Sequence, residues 1–257
     1  MELSLYRGAK DAVNGALSLV GLKVMRARSH DWADLANFLP LKPTLEAARD
    51  AGLSVGDYID TVINNSPGAT QDTMDRMADL GVFAGPVDTI VEIGPGSGRY
   101  LEKTLNSCAP TRYEIYETAG AWAAHLVETF EVRLNPTDGK SLSASASDSI
   151  DLVQAHKVFP STPFLVTANY WLEMARVVRP GGHAVFDIVT EACLDPDAVA
   201  RWAADCTTIS TFPAVMPRKV ATDFFESRGF SLSGSFLVPM TLGQTETYVF
   251  KKVPTRN

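Results

Sequence analysis

The stretch Val87–Tyr100, VDTIVEIGPGSGRY, constrains the fold more than any other part of this 257-residue chain. Its first residues are mostly apolar and β-branched, as a buried parallel strand requires. Three alternating glycines follow, Gly94, Gly96 and Gly98, and a helical pattern begins at Arg99. Glycine is used where a backbone bends sharply or comes close to a ligand. The stretch therefore predicts a strand, a tight turn and a helix. The turn would lie at the carboxyl end of the strand, where open α/β sheets bind their ligands.

Composition and charge narrow the class of protein. Hydrophobic residues make up 46% of the chain and charged residues 21%, which is typical of a globular protein. The net charge of −7 disfavours a nucleic-acid-binding protein, which would need a basic face. The three cysteines, Cys108, Cys193 and Cys206, show no paired spacing, so we expect reduced thiols, a cytoplasmic location and no zinc site. We also expect no signal peptide and no membrane-spanning segment, because no apolar segment has bilayer length.

Strands and helices alternate along the chain after the glycine turn. This alternation is the pattern of a parallel sheet covered by helices on both faces. The predicted strands after the first are Arg112–Glu117, Glu131–Leu134, Asp151–Ala155 and Ala184–Val189, with a terminal hairpin formed by Phe230–Val238 and Thr245–Lys251. Five parallel-type strands and a hairpin predict an α/β fold with a Rossmann-like seven-stranded sheet, mostly parallel with a C-terminal antiparallel hairpin.

The glycine turn does not match the dinucleotide fingerprint G-x-G-x-x-G, because Arg99 stands where its third glycine would be. Its spacing, an acidic residue followed by glycines at alternate positions, resembles the first motif of class I S-adenosylmethionine-dependent methyltransferases. The resemblance covers about residues 87–251, and EMARVVRPGGHAVFDI at Glu173–Ile188 is similar to the family's helix-turn-strand after the fourth motif. It implies a methyltransferase with S-adenosyl-L-methionine as cofactor. The cofactor-binding residues that it implies in the first motif are Glu92, Gly94, Gly96 and Gly98.

Acidic residues follow the second and third predicted strands. Glu117 ends the second strand, so its carboxylate would lie beside the glycine turn and could accept hydrogen bonds from both ribose hydroxyls. An acidic residue at this point also serves NAD, so Glu117 supports a ribose-containing cofactor without choosing one. Asp138 and Gly139 follow the third strand, where the resemblance implies a contact with the adenine amino group. An ordinary Asp-Gly turn is the alternative for this pair.

His156 and Lys157 follow the fourth predicted strand, in the segment SIDLVQAHK, which resembles the family's fourth-strand motif. A histidine with an unperturbed pKa of about 6.5 suits a general base, so His156 is the candidate catalytic residue. The alternatives are a structural histidine that lines the cleft, or a pair in which His156 and Lys157 orient an anionic acceptor. Asp187 and Glu191 are further candidates for contacting the substrate, with help in binding a metal as the alternative. The resemblance implies no obligatory metal, because the acidic ligands of metal-dependent O-methyltransferases are missing after the fourth strand.

The chain before the glycine turn is expected to be helical. We predict a helical extension over residues 1–84 and the cofactor-binding methyltransferase domain over residues 85–257. In the family such helices often cover the cofactor and shape the substrate pocket; a structural cap on the sheet edge is the alternative. The helix expected at Met1–Arg28 either packs on the main domain or, as a basic interfacial helix, rests on anionic lipid, which would make the protein membrane-associated.

The methyl acceptor follows less directly from the residues. The stretch from Ala155 to Gly182 resembles methyltransferases found with glycan and glycolipid assembly enzymes, so we favour O-methylation of a sugar hydroxyl on a glycan, glycolipid or glycosylated metabolite. The enzymatic alternative is a carboxyl O-methyltransferase for small molecules or fatty acids. The alternative outside enzymes is a non-catalytic cofactor-binding partner subunit. The acidic charge and the missing N/D-P-P-Y/F/W motif disfavour a nucleic acid as acceptor.

Overall fold

Seven strands form one sheet in the computed structural model, which describes residues 39–204, 214–240 and 243–254. The strands are β1 (Thr89–Ile93), β2 (Arg112–Tyr116), β3 (Arg133–Leu134), β4 (Ile150–Ala155), β5 (Val178–Ile188), β6 (Phe230–Met240) and β7 (Gly243–Lys252). Their order is β3-β2-β1-β4-β5-β7-β6. β1 to β5 are parallel, and β7 runs antiparallel between β5 and β6. The predicted seven-stranded sheet with its antiparallel C-terminal hairpin is confirmed.

Eight α-helices lie within the described ranges. They are α1 (Leu41–Asp50), α2 (Val55–Tyr58), α3 (Ala69–Asp79), α4 (Arg99–Ser107), α5 (Gly120–Thr129), α6 (Phe164–Val177), α7 (Pro196–Ala204) and α8 (Arg218–Ser227). α2 continues into a π-helical turn at Ile59–Ile63. None of these helices is long and apolar enough to cross a membrane. The helix predicted at Met1–Arg28 lies outside the described residues, and the boundary between residues 84 and 85 stays a prediction.

Each face of the sheet carries its own hydrophobic core. Successive strand residues point to opposite faces, so Leu152 packs into one core and Val153 into the other. α6 and α8 cover the face that contains Val153, where the rings of Phe225 and Phe250 stack with centroids 4.6 Å apart. α3 and α4 cover the opposite face. Burying a large apolar side chain of this kind contributes roughly 1.5–3 kcal/mol, so both helical layers are held firmly on the sheet.

β5 differs from its predicted extent at its amino end. It begins at Val178, directly after α6, whereas the sequence predicted a glycine turn and a strand from Ala184. Its pairing with β4 shifts register between Val178 and His183, so the Pro-Gly-Gly segment forms an irregularity in the strand. A Cβ atom at Gly182 would lie 2.7 Å from the Asp151 carbonyl oxygen. Glycine is required there because the two backbones approach too closely for a side chain.

Candidate active site

The glycine turn joins β1 to α4 and uses its glycines in different ways. All three have positive φ angles, +60° at Gly94, +53° at Gly96 and +78° at Gly98, which side chains other than glycine rarely adopt. A Cβ atom at Gly94 would lie 2.8 Å from Val158 Cγ2, and one at Gly98 would lie 2.5 Å from Leu126 Cδ2. Among the described residues, the nearest atom to a Cβ at Gly96 is the Gly94 oxygen, at 4.0 Å. Gly94 and Gly98 therefore serve packing, whereas Gly96 borders open space.

Glu117 follows β2, and its carboxylate lies against the glycine turn. Oε2 accepts a hydrogen bond of 2.7 Å from the Gly96 N–H, and Oε1 accepts one of 2.7 Å from the Ala119 N–H. Burial raises the pKa of this carboxyl, although the backbone hydrogen bonds lower it. The structure thus brings Glu117 and Gly96 together, because the carboxyl ends of the parallel strands β1 and β2 meet at one edge of the sheet.

Glu92 has its described contacts inside the sheet layer rather than with the turn. Its Oε2 accepts a short hydrogen bond from the Tyr113 hydroxyl and one of 3.1 Å from Gln154 Nε2. Gln154 Nε2 also lies 3.0 Å from Thr104 Oγ1 of α4. Burial raises the pKa of Glu92 to about 7, against the lowering effect of these hydrogen bonds. We call Glu92, Thr104, Tyr113 and Gln154 the closed cluster; a direct contact of Glu92 with the cofactor stays a prediction.

Asp138 and Gly139 form a turn after β3. Asp138 Oδ1 accepts hydrogen bonds from the Lys140 N–H at 3.0 Å and the Ser141 N–H at 2.8 Å. Gly139 has a φ angle of +70°, and its N–H donates to Thr137 Oγ1 at 3.0 Å. Burial opposes the shift, but the backbone hydrogen bonds hold the pKa of Asp138 below its ordinary value. The turn geometry accounts for both residues, and their proposed contact with adenine stays a prediction.

Tyr170 of α6 is a buried residue near the predicted cofactor site that the sequence did not single out. Burial raises the pKa of its phenol, and the carboxylates of Asp138 and Glu117 raise it further. Both carboxylates therefore act on the same buried ring, which connects the ends of β2 and β3 to α6. Tyr170 lies within a long apolar helical pattern, where a residue at the site looks no different from a residue of the core.

His156 lies at the carboxyl end of β4, stacked on Tyr100. The two ring centroids are 4.0 Å apart and the ring planes differ by 13°. The imidazole is 6% exposed, and no group in the described part of the chain hydrogen-bonds to its Nε2. Burial lowers the pKa of His156 to about 3; Asp187 raises it, and the positive charges of Lys157 and Arg99 lower it. The imidazole is therefore neutral at physiological pH, which differs from the ordinary histidine expected from the sequence.

Lys157 and Asp187 form an ion pair beside His156. Lys157 Nζ lies 3.1 Å from Asp187 Oδ2 and donates to Thr245 Oγ1 at 2.5 Å, while its backbone N–H donates to Asp187 Oδ1 at 2.6 Å. Burial alone would raise the pKa of Asp187, but the Lys157 ammonium holds it below its ordinary value. Lys157 has a φ angle of +61°, a conformation that costs free energy in a non-glycine residue. We call His156, Lys157, Asp187 and Thr245 the open cluster.

Glu191, the other acidic candidate, has a different partner. Its Oε2 accepts a hydrogen bond of 3.0 Å from the Arg218 N–H, and its side chain is exposed. Within the described ranges, no three His, Cys, Asp or Glu side chains are grouped as a metal site would require. The expectation that no metal is required stays a prediction.

A cavity of about 430 Å³ lies between α3 and the β6–β7 hairpin. Its polar lining consists of Asp72, Thr73, Arg76 and Gln244. Gln244 directly precedes Thr245, which belongs to the open cluster. The cavity and the open cluster therefore share strand β7, and the cavity lining carries side chains of both charges.

A comparison with protein families identifies the domain that contains this edge of the sheet. Residues 91–186 match the family described as "Methyltransferase domain", a range that contains the glycine turn, Glu117, Asp138 and the open cluster's His156 and Lys157. Residues 91–186 therefore carry the methyltransferase domain of an S-adenosylmethionine-dependent enzyme. S-adenosyl-L-methionine is the cofactor and methyl transfer is the activity of such an enzyme. A comparison with curated proteins found no match.

Solved structures of methyltransferases share the fold. A putative methyltransferase in complex with the Trm112 activator from Haloferax volcanii has 15% identity and a TM-score of 0.58, covering 87% of this chain and 98% of that one. An O-methyltransferase family protein from Burkholderia thailandensis has 15% identity and a TM-score of 0.57, covering 97% and 85%. The N-methyltransferase NodS from Bradyrhizobium japonicum, in complex with S-adenosyl-L-homocysteine, has 17% identity and a TM-score of 0.51, covering 71% and 86%. These neighbours include N- and O-methyltransferases, so the fold alone does not choose the accepting atom.

The residues around the turn fit the methyltransferase cofactor. The space over Gly96 would be filled by a side chain at any other residue type, and Glu117 beside it is a buried acceptor with lone pairs to spare. Glycine there keeps the backbone accessible to a ligand, and a carboxylate suits ribose hydroxyls. This part of the methyltransferase needs no rearrangement of the described residues to present both features.

Proposed function

We propose that this methyltransferase methylates a neutral sugar hydroxyl on a glycan, glycolipid or glycosylated metabolite. The open cluster carries the proposal. It combines a buried, neutral imidazole whose Nε2 lacks a hydrogen-bond partner in the described structure with a lysine whose charge is already compensated. Such a cluster is polar without net charge, and it suits a neutral hydroxyl group.

In this proposal the glycine turn, Glu117, Asp138 and Gly139 hold the cofactor, and Glu92, through the closed cluster, stabilises the sheet layer next to the turn. When bound, S-adenosylmethionine supplies a methyl group activated by a sulfonium. The protein's own contribution is to align the acceptor and exclude water, because positioning can supply many powers of ten in rate.

His156 is proposed to orient the acceptor and take its proton. Its Nε2 would accept a hydrogen bond from the hydroxyl, and the proton would move to Nε2 as the oxygen gains the methyl group. Asp187 raises the pKa of His156, so its carboxylate would favour the imidazolium that forms. Because burial makes His156 a weak base, the hydrogen bond that orients the hydroxyl matters as much as the proton transfer.

Charge compensation distinguishes the sugar from a carboxylate acceptor. A carboxylate would need a free positive charge, but the Lys157 ammonium already lies 3.1 Å from Asp187. The cavity between α3 and the β6–β7 hairpin supports a larger polar acceptor, because its lining residues Asp72, Thr73, Arg76 and Gln244 provide the mixed donors and acceptors that sugar hydroxyls require. A carboxyl O-methyltransferase remains the alternative, and the Lys157 ammonium is the observation in its favour.

The test begins with calorimetric titration of the full chain with S-adenosyl-L-homocysteine. One-to-one binding in the micromolar range is expected. Gly96→Ala should weaken binding by tenfold or more, since a methyl group would enter the open space and strain the positive φ. Gly229→Ala is the matched control, because Gly229 also has a positive φ of +79° and open space but lies at the opposite edge of the sheet, just before β6.

Transfer of radiolabelled methyl groups then identifies the acceptor. Glycosides, carboxylates and amines are offered in parallel, and methylation of a glycoside hydroxyl alone is expected. Transfer only to carboxylates would establish the alternative, and transfer to amines would overturn O-methylation. Cofactor binding with no transfer to any acceptor would favour a non-catalytic partner subunit.

A further inference from the structure

Asp60 is a buried carboxylate in the π-helical turn that continues α2. Oδ1 accepts hydrogen bonds from Arg99 Nη1 at 2.5 Å and from Thr70 Oγ1 at 3.0 Å, and Oδ2 accepts one of 2.8 Å from the Thr70 N–H. Thr70 lies in the first turn of α3, and Arg99 is the first residue of α4. One side chain therefore joins three helices. π-helical turns are frequent at functional sites.

Arg99 directly follows the last glycine of the cofactor turn. Its side chain is 13% exposed, and α2 approaches it closely, because a Cβ atom at Gly56 would lie only 3.0 Å from Arg99 Cβ. The helices that precede the sheet are therefore in contact with the point at which the turn becomes α4.

A row of stacked groups extends from Arg99 to the open cluster. The Arg99 guanidinium lies 5.0 Å from the ring centroid of Tyr100, and that ring stacks on His156 at 4.0 Å. Asp60 fixes the guanidinium at one end of this row. The other end is the imidazole that the proposed function places at the acceptor.

Stability alone does not explain the ion pair. Removing two charges from water costs free energy, and apolar side chains of similar volume join helices equally well or better. What a charged pair with several hydrogen bonds adds is a fixed direction for both groups. Asp60 and Arg99 lie where a fixed direction matters, between the cofactor turn and the acceptor end of β4.

We propose that Asp60 is a positioning residue for methyl transfer. Through Arg99 it holds α2 and α3 against the cofactor turn and keeps the Tyr100–His156 stack in place. Ligand binding at the turn and ordering of these helices are then coupled. The proposal rests on the proposed function, since it takes the glycine turn as the cofactor site.

The test measures S-adenosyl-L-homocysteine affinity together with hydrogen exchange. Asp60→Asn keeps the shape of the side chain but loses the charge, and Arg99→Met keeps most of the volume. Each should weaken binding about tenfold, the size expected when a hydrogen bond between charged groups is lost. The double variant should lose no more affinity for S-adenosyl-L-homocysteine than the weaker-binding single variant, because both changes break the same Asp60–Arg99 ion pair. Arg99→Lys keeps the positive charge and should retain more affinity than Arg99→Met.

Asp57→Asn is the matched control. Asp57 pairs with Lys103 across the same two helices, at 3.5 Å and with Asp57 half exposed. Exposed ion pairs contribute little free energy. The affinity of Asp57→Asn for S-adenosyl-L-homocysteine should therefore stay within about twofold of wild type.

Hydrogen exchange separates positioning from structural support. In wild type, the ligand should slow amide exchange in Ile59–Ile63 and in α3. In Asp60→Asn at saturating ligand, the turn should stay protected while those helices lose the ligand-dependent protection. A merely structural residue would speed exchange equally with and without ligand. Wild-type affinity in Asp60→Asn and Arg99→Met, or unchanged ligand-dependent protection, would overturn this proposal. Failure of wild type itself to bind would instead overturn the proposed cofactor site.

Discussion

The closed and open clusters each have a member at the carboxyl end of β4, and they differ in how their polar atoms are hydrogen-bonded. Gln154 belongs to the closed cluster, and His156 of the open cluster follows it by two residues, which places both side chains on the face covered by α4. The closed cluster's buried carboxylate, hydroxyl and amide groups bond to one another. The open cluster leaves His156 Nε2 without a hydrogen bond in the described structure, whereas Asp187 Oδ2 lies 3.1 Å from the Lys157 ammonium.

This difference separates support from chemistry. Buried polar groups are nearly always hydrogen-bonded, so an orphaned atom calls for an explanation such as a ligand. A cluster whose polar groups are all hydrogen-bonded to one another makes the sheet layer beside the site rigid. Changes in the closed cluster should therefore appear in stability, and changes to His156, whose Nε2 is unbonded, should appear in turnover. Variants in both clusters test that division.

Asp187→Ala should have the largest effect. It leaves the Lys157 ammonium, whose side chain is 17% exposed, without its buried partner, and it removes the acceptor of the Lys157 N–H. Breaking such a pair costs about 3 kcal/mol of unfolding free energy, measured by urea denaturation. Lys157→Met combined with Asp187→Ala should recover part of this loss, because no uncompensated charge remains.

Asp223→Ala is the control for that experiment. Asp223 pairs with Lys219 on α8 at 2.6 Å, but both side chains are exposed. Its removal should leave stability unchanged within error. If Asp187→Ala were equally harmless, the Lys157–Asp187 ion pair would not stabilise the fold.

His156→Ala should cut turnover about a hundredfold while the affinity for S-adenosyl-L-homocysteine stays nearly constant. The reason is that Nε2 is free to bond an acceptor, whereas the described contacts of the cofactor turn do not involve the imidazole. Initial rates at saturating cofactor provide the measurement, once an acceptor is found. A loss of less than about threefold would reduce His156 to a residue that lines the cleft.

Glu92→Gln should change the pH dependence of stability with little change in turnover. The pKa of Glu92 is raised from 4.5 to about 7, so protonated Glu92 stabilises the fold at low pH and this contribution is lost as the pH rises through 7. Glutamine mimics the protonated form at all pH values. Relative to the variant, wild type should lose about 2 kcal/mol of unfolding free energy between pH 5 and pH 8. Urea midpoints at both pH values test this; parallel profiles would contradict the raised pKa.

The sequence predicted the features that depend on local chemistry and strand order. The alternating glycines indicated the turn, and the end of β2 placed Glu117 beside it, because parallel strands share one carboxyl edge. Strand periodicity and chain order therefore sufficed for the sheet and for the neighbourhood of the cofactor.

Side-chain partners across the fold were beyond such reasoning. Asp60 is a charged residue in a largely apolar segment, yet Asp60 is buried and Val62 is 54% exposed. Its partner Arg99 is 39 positions away and on another helix. Thr245 meets Lys157 only through the register of the β6–β7 hairpin. The low pKa of His156 comes from burial, which a residue at the end of a strand does not reveal.

The smallest expected effect is a flat pH profile in wild type. An ordinary histidine with a pKa near 6.5 would be mostly protonated at pH 5.5, and turnover that needs the neutral form would fall about tenfold between pH 8 and pH 5.5. The pKa of His156 is lowered to about 3 by burial, so the imidazole stays neutral throughout this range. Turnover at saturating cofactor should then change by less than about threefold, as judged from the neutral fraction.

A tenfold fall with a midpoint near 6.5 would show that water or substrate enters the open cluster and restores the charged form. In that case the open cluster would be neutral only while water and substrate are excluded from it. The preference for a neutral hydroxyl over a carboxylate would then lose its main support.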